Sequence, residues 1–439
     1  MDKLIPTLYR EYGKYINTSR AIPLATDGLK PVERRVLYSS YQIARERFVK
    51  SVRVDGHCLG HYHAHGSSYG SIVQMVKQGF LDPQGNFGST LGTETSSPAA
   101  PRYTECKLSD LSKKLAFQFI DHVPYVLSDL GIKEPVFLPS MFPLCLLGTE
   151  YTFGIGFAYR TYIPHFRIED LYKRLLWLLG KVKEKPTIKP LTNCNILSSD
   201  EEIETLLTKG KATIDVQGKI IRNNASYEVI VKSWPDNKTW ISVLSKLKEF
   251  LDTGDMGYQD LSSMDLGTHV VFGVQKLRNR PEIFQKFIPK LQESLKGRIS
   301  FDIIMVREDG NLATMSVDEL LLDSFKMFES VNKTMLETGM KKVLEDMEEY
   351  KVLEKIKPIL PKYITTKVTD VPSTIKKIST EASVPEEIIQ KLLKKYRIHK
   401  LLSLDTDISE LQKNLDLHKD LLANTKKFVL RQYHVWKGE

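Results

Sequence analysis

"GHYHAHGSSYG", residues 60–70, sets three histidines at alternate positions, His61, His63 and His65, with His57 just upstream. These are four of the ten histidines in the 439-residue chain. On a β-strand, alternate side chains share one face, and imidazoles so placed can converge on a zinc ion. On a helix, a step of two rotates the side chain by about 200°, and no face is shared. The flanking Gly60 and Gly66-Ser67-Ser68 predict a turn or loop leading into a helix. The next carboxylate along the chain is Asp82. Spacing alone leaves three readings open: a metal site, imidazoles facing an anion such as phosphate, or a hydrogen-bonded loop.

Composition bounds the answer without choosing. Hydrophobic content of 41% and charged content of 27% are those of a globular protein with room for several domains. The net charge of +9 points weakly to a polyanionic partner. No apolar run approaches the roughly 20 residues of a membrane span. "MDKLIPTLYREYGKY" has no signal-peptide core, so a cytoplasmic location is expected. Cys58, Cys106, Cys145 and Cys194 are far apart, with no paired spacing, and read as reduced structural thiols.

Three regions differ in texture. Residues 1–150 are rich in Gly, Pro, His and Arg, with short helical patterns such as "VERRVLYSSYQIARERF" between punctuated loops; Pro31 suits the first turn of that helix. Residues 151–316 read as α+β. "KATIDVQGKIIRNNASYEVIVKSWP" alternates in the strand manner, with Gly218 expected in a hairpin turn. "TWISVLSKLKEFLD" and "PEIFQKFIPKLQESL" read as amphipathic helices, and "ISFDIIMVREDGNLATM" as a hairpin turning at Asp309-Gly310. Residues 317–439 read as helical, either an antiparallel coiled-coil arm or an ordinary bundle, with Ile408, Leu411, Leu415, Leu422 and Val429 at heptad-like spacing.

Four ordered blocks then carry a resemblance: "RAIPLATDGLKPVERRVLY" (20–38), "GHYHAHGSS" (60–68), "DPQGNFGS" (82–89) and "PRYTECKLS" (101–109). They resemble the breakage-reunion core of type IIA DNA topoisomerases, of the gyrase A-subunit and topoisomerase IV kind. The likeness runs on through "FGIGFAYRTYIPHF" (153–166) and weakly to "YRIHKLLSL" (396–404). It implies a multidomain α+β fold: a winged-helix DNA-binding domain in 1–150, a tower domain in 151–316, and an antiparallel coiled-coil arm with a helical exit gate in 317–439. The chain ends just after its final helix, so a C-terminal DNA-wrapping domain is expected to be absent. In length it resembles the separate cleavage subunit of T4-like phage topoisomerases.

The resemblance makes Tyr103 the nucleophile that attacks a DNA phosphate and holds a 5′ end as an ester. A phenol ionises near pH 10, so cations must lower the cost of phenolate and of charge on phosphorus. Arg102 is adjacent, and Arg20 matches the family's other catalytic arginine, supplied across a dimer interface. His63 and His65 match histidines near the scissile phosphate, and the helix from about Ser67 to Gln78 matches one laid against DNA. Lys30, Arg34, Arg35 and Ser68 are expected DNA contacts. Phe153 is the expected wedge between base pairs, with Ile155 as the alternative. Under this reading no metal is expected on the histidines, and His57 is structural.

The pattern is departed from in four places. His61 stands where lysine is usual, Glu33 where histidine is usual and Ser67 where aspartate is usual; Ile72 lies near an acidic position. These put a metal–water bridge to quinolone drugs in doubt. No carboxylate run of the TOPRIM type and no P-loop is present. Mg²⁺ and ATP are therefore expected on a partner subunit. The expected partners are duplex DNA, a second copy of this chain joined at the exit gate near Leu392, Leu393, Leu401 and Leu402, and an ATPase/TOPRIM subunit. The rival readings are a non-catalytic architectural DNA-binding dimer and a histidine-metal nuclease.

Overall fold

The computed structural model describes residues 4–149, 151–276, 278–364, 371–396 and 408–437. It divides into two compact units, residues 1–328 and 329–439.

The first unit begins with α1 (Leu4–Ile16), a five-residue π-turn (Asn17–Ala21) and α2 (Pro31–Ile43). Pro31 opens α2, where its missing N–H leaves nothing unpaired. The Glu33 carboxylate accepts the Lys30 N–H at 2.9 Å, satisfying a donor at the helix start. Next come β1 (Val49–Lys50), α3 (Ser51–His61), α4 (Tyr69–Lys77), β2 (Leu81–Gln84) and β3 (Glu105–Leu108). The three strands form an antiparallel sheet ordered β1-β3-β2, with Val49 opposite Cys106 and Leu81 opposite Leu108. Val36, Leu37, Val54, Cys58, Ile72, Met75 and Leu108 are buried, which fixes the three helices on the sheet. After α5 (Asp110–Ala116), β4 (Tyr125–Leu127) and β5 (Lys133–Pro135) form a hairpin.

Two larger sheets follow. One is ordered β6-β7-β14-β9-β8, from β6 (Thr152–Ile155), β7 (Arg160–Ile163), β8 (Asn195–Ile196), β9 (Lys211–Gln217) and β14 (Lys296–Asp302). The other is ordered β10-β11-β13-β12, from β10 (Ile220–Asn223), β11 (Glu228–Val231), β12 (Met256–Asp260) and β13 (Val270–Val274). Val229, Val231, Val270 and Phe272 on the second sheet pack on Trp240, Val243, Phe287 and Leu291. Gly218 is not in a hairpin turn. The strands on either side of it, β9 and β10, enter different sheets, and the hairpin turn lies between Asn223 and Glu228. A Cβ at Gly218 would collide with the Ser233 carbonyl, so glycine is required by the close approach of two chain segments. "TWISVLSKLKEFLD" forms two short helices, α8 (Trp240–Ser245) and α9 (Lys248–Asp252). The Asp309-Gly310 turn is present, with Gly310 at φ +75°.

A fully buried arginine ties this region together. Arg174, on α6 (Ile168–Leu178), bonds bidentately to Glu204 of α7 (Asp200–Lys209) and to Asp318 at the start of the long helix α11 (Val317–Ile356). Between α9 and α11 the chain also forms α10 (Arg280–Ser294). In the second unit, Leu353, Ile356, Leu360, Ile375, Ile378, Ile389 and Leu392 form one core. They come from the end of α11, α12 (Leu360–Ile364), α13 (Val371–Ala382) and α14 (Glu386–Lys395). Leu392, expected at a dimer contact, is spent in this core, and Leu393 packs against it. Leu401 and Leu402 lie outside the described residues. Of the closing helices α15 (Ile408–Ala423) and α16 (Thr425–Lys437), α15 comes against α11 where His418 meets Gly339. No described helix is long and apolar enough to cross a membrane.

Candidate active site

The histidine run is neither strand nor plain loop. His57 and His61 both lie on α3, four residues apart, with rings stacked at 4.1 Å. The His61 ring bonds through Nδ1 to the His57 carbonyl, 2.9 Å away. Burial and then His61 push the His57 pKa down. This pair belongs to the helix. His63 and His65 follow its end, their rings edge-to-face at 5.3 Å.

Each of these two rings faces an arginine. Arg35 Nη1 lies 3.4 Å from His63 Nδ1, and Arg20 Nη2 lies 3.2 Å from His65 Nδ1. A guanidinium has no acceptor, so both Nδ1 atoms accept, which leaves the ring N–H on Nε2. Burial, then the Arg35 charge, holds the His63 pKa down to about 4. His63 is thus a neutral hydrogen-bond donor at physiological pH. His65 Nε2 points toward Tyr15 Oη at 3.4 Å and Asp129 Oδ2 at 3.5 Å.

The supports of this cluster come from distant segments. Arg35 is held bidentately by Glu134 of β5, at 2.8 and 2.7 Å. Burial opposes the Arg35 charge, but the Glu134 hydrogen bond and charge more than offset it and raise its pKa. Arg20 projects from the π-turn, a geometry frequent at functional sites. Sequence reading missed Tyr15, Asp129 and Glu134. Asp129 lies in the turn of the β4–β5 hairpin and Glu134 on β5, and only folding brings that hairpin to the histidines.

Two expected DNA contacts, Arg34 and Ser68, are engaged by carboxylates of the chain itself. Arg34 is not part of an exposed basic cluster: it is 9% exposed and donates from Nε and Nη2 to Asp27 at 2.6 and 2.8 Å. Asp27 also accepts the Leu29 and Leu138 N–H groups, so this pair organises the core beneath α2. Ser68 is 2% exposed, and its N–H and hydroxyl both donate to Asp55 Oδ1. Asp55, on α3, also accepts from Ser67 and thereby ties down the start of α4. Lys30 keeps partial exposure beside Glu33. Lys30, Phe153 and the α4 residues Gly70, Ser71 and Gln74 line a cavity of about 290 Å³.

Tyr103 is 62% exposed, with the Arg102 guanidinium 4.5 Å from its ring centroid. Its backbone is fixed from several sides. Tyr103 N–H donates to Ala100, Val52 N–H to Pro101, and Ser51 N–H to Thr104. The Tyr69 hydroxyl donates to Ala99 at 2.6 Å. Gly85, in the Gly-rich stretch, takes φ +98° where a Cβ would press on the Tyr103 carbonyl. The tip of the same loop is held by Asp260, which accepts from Thr93 N–H and hydroxyl. Among the described residues, no hydrogen bond or ring contact joins Tyr103 to Arg20, His63 or His65.

On β6, Phe153 and Ile155 both face outward while Thr152 and Gly154 are buried. Phe153 leans its ring edge on Tyr162, 5.9 Å away, and is 45% exposed; Ile155 is 66% exposed. All four cysteines are free and buried. Among the described residues, no group of three or more His, Cys, Asp or Glu is placed to hold a metal ion.

Comparison with known proteins identifies the family. A family model describing the DNA gyrase/topoisomerase IV A-subunit matches residues 20–436. The DNA gyrase A-subunit of Helicobacter pylori is 30% identical over 280 residues, covering 59% of this chain and 31% of that protein. The DNA topoisomerase 4 A-subunit of Neisseria gonorrhoeae is 27% identical over 367 residues, covering 71% of this chain and 46% of that protein. Its counterpart in Bacillus subtilis topoisomerase 4 is 30% identical over 275 residues, 57% of this chain and 33% of the relative. The chain thus spans between about a third and a half of these three relatives. The match over nearly its whole length places the chain in the DNA gyrase/topoisomerase IV A-subunit family.

Proposed function

We propose that this chain is the DNA cleavage and religation subunit of an ATP-dependent type II topoisomerase. The observation that carries the reading is the division of the site. The exposed Tyr103–Arg102 pair lies on one loop and, among the described residues, makes no hydrogen bond or ring contact with the organised donor cluster of Arg20, His63 and His65. A second copy of the chain would bring one protomer's tyrosine to the partner's cluster. Tyr103 Oη attacks phosphorus, a phenolic O–P bond forms, the P–O3′ bond breaks, and the 3′ oxygen leaves with a proton. Arg20 and Arg102 stabilise charge on the phosphate, the Nε2–H of His63 donates to its oxygens, and His65 holds Arg20 beside it. The ester conserves the bond energy, so the reverse attack reseals the strand.

The arrangement of α2, α3 and α4 with the β1-β3-β2 sheet supports a winged helix, with α4 against DNA and the β2–β3 loop as the wing that carries Tyr103. Lys30 and the α4 residues beside Phe153 extend this surface, and Arg35 acts there through His63. Ile155, more exposed than Phe153, is the better wedge. Residues 1–150 then form the cleavage domain, 151–316 the tower, and 317–439 an antiparallel coiled-coil arm ending in a dimer gate. A partner subunit with ATPase and TOPRIM parts supplies ATP hydrolysis and Mg²⁺.

The test combines this chain and its partner subunit with supercoiled plasmid in Mg²⁺ or Ca²⁺, stopped with denaturant. Wild type should yield linear DNA with protein on its 5′ ends, and Tyr103→Phe none. Cleavage by Tyr103→Phe would refute the reading. DNA binding without any cleavage would favour the architectural dimer.

A further inference from the structure

The turn that carries Arg20 and the hairpin that carries Ile155 are joined by one buried amide. Asn17 opens the π-turn, and its carbonyl accepts the Ile22 N–H that closes it, at 3.0 Å. Its side chain reaches the other way. Nδ2 donates to the Phe157 carbonyl at 3.0 Å, and Oδ1 accepts the Phe157 N–H. One side chain thereby satisfies both backbone polar groups of a residue 140 positions along the chain.

The surrounding chain is shaped for this contact. A Cβ at Gly156 would collide with Asn17 Oδ1, and a Cβ at Gly154 with the Ala21 carbonyl. Both glycines lie on the strip of hairpin laid over the Arg20 turn. Ala158, next to Phe157, sits at φ +62°, a region that disfavours a residue with a Cβ and needs a neighbouring hold. Tyr9 and Gly13 of α1 also touch the Phe157 ring, but these contacts are apolar and carry little direction. The Asn17 amide is directional at both ends.

We propose that Asn17 is a positioning residue: it couples the position of the Ile155 hairpin on bent DNA to the position of Arg20 in the cleavage site. This rests on the proposed function above. Phe157 lies two residues beyond Ile155, and Asn17 three before Arg20. Displacement of the hairpin by an inserted wedge is passed through the amide to the turn, and from Arg20 to His65.

The experiment uses the full chain with its partner subunit, on a duplex labelled at both ends to read bending by energy transfer. Asn17→Ala should lower the fraction of DNA cleaved at saturating DNA by at least about tenfold, as expected for a misplaced catalytic group. DNA affinity and bend angle should stay near wild type. The double variant Asn17→Ala/Arg20→Ala should cleave no worse than Arg20→Ala, because both remove one coupled unit. Gly156→Ala presses on the same amide from the other side and should repeat the defect. It keeps the test open if Asn17→Ala does not fold. Multiplying effects of Asn17→Ala and Arg20→Ala, or equal loss of affinity and cleavage, would overturn the proposal. Cleavage surviving Tyr103→Phe would instead remove the proposed function, and this inference with it.

Discussion

Arg35 grips Glu134 through Nε and Nη2 and turns its remaining nitrogen, Nη1, to Nδ1 of His63 at 3.4 Å. A carboxylate on a distant hairpin therefore sets which nitrogen of a candidate phosphate-facing histidine carries the proton. Removing Glu134 leaves a half-buried guanidinium without its partner. Glu134→Ala should cost about 3 kcal/mol of stability by chemical denaturation and lower DNA cleavage in the same protein. A fully active variant of unchanged stability would show that Arg35 needs no anchor.

The His63 pKa is held near 4 in the fold, against an ordinary value of 6.5. The unfolded chain takes up this proton as pH falls through 6.5, and the folded chain only near 4. Between those values the unfolded state binds more protons, so the His63 contribution to stability falls as pH drops through that window. Histidine-side-chain NMR should show His63 neutral at pH 6. Arg35→Met should move its titration back toward the ordinary value by removing one of the two main causes.

Lys30 and Arg34 sit four residues apart and should behave oppositely. Arg34→Ala strands the buried Asp27 carboxylate and should destabilise the fold by about 3 kcal/mol or more. Lys30→Ala should leave the melting temperature nearly unchanged. It should reduce the slope of log affinity for DNA against log salt by about one. A large salt-slope change for Arg34→Ala in folded protein would contradict its burial.

Ile155→Ala should reduce DNA bending more than Phe153→Ala, since Phe153 is partly held by Tyr162 while Ile155 is free to enter a base step. Energy transfer across a labelled duplex measures both. The reverse order would make Phe153 the wedge.

Asp55→Ala should loosen the start of α4, because three donors from Ser67 and Ser68 converge on that carboxylate. A loss of about 1 kcal/mol is expected, as for other lost helix-start acceptors. Faster hydrogen exchange confined to the first turn of α4 would locate the effect there.

Local chemistry was legible where it depends on neighbours in the chain. Pro31 and Glu33 mark the start of α2, Asp309-Gly310 the turn of its hairpin, and the ordered blocks around Tyr103 the family. These features are set by backbone angles and spacing, which a sequence carries directly. What the chain does with its charges was decided by tertiary structure. Arg34 and Arg35 are adjacent, yet one is buried against Asp27 and the other faces His63, because consecutive residues of a helix point about 100° apart. Gly218 looked like a hairpin turn but is where the chain leaves one sheet for another; strand alternation does not say which strands pair. Tyr15, Asp129, Glu134 and Asn17 carry no motif. Each matters through a partner between 50 and 140 residues away, or on a separate hairpin, and only packing makes those distances short.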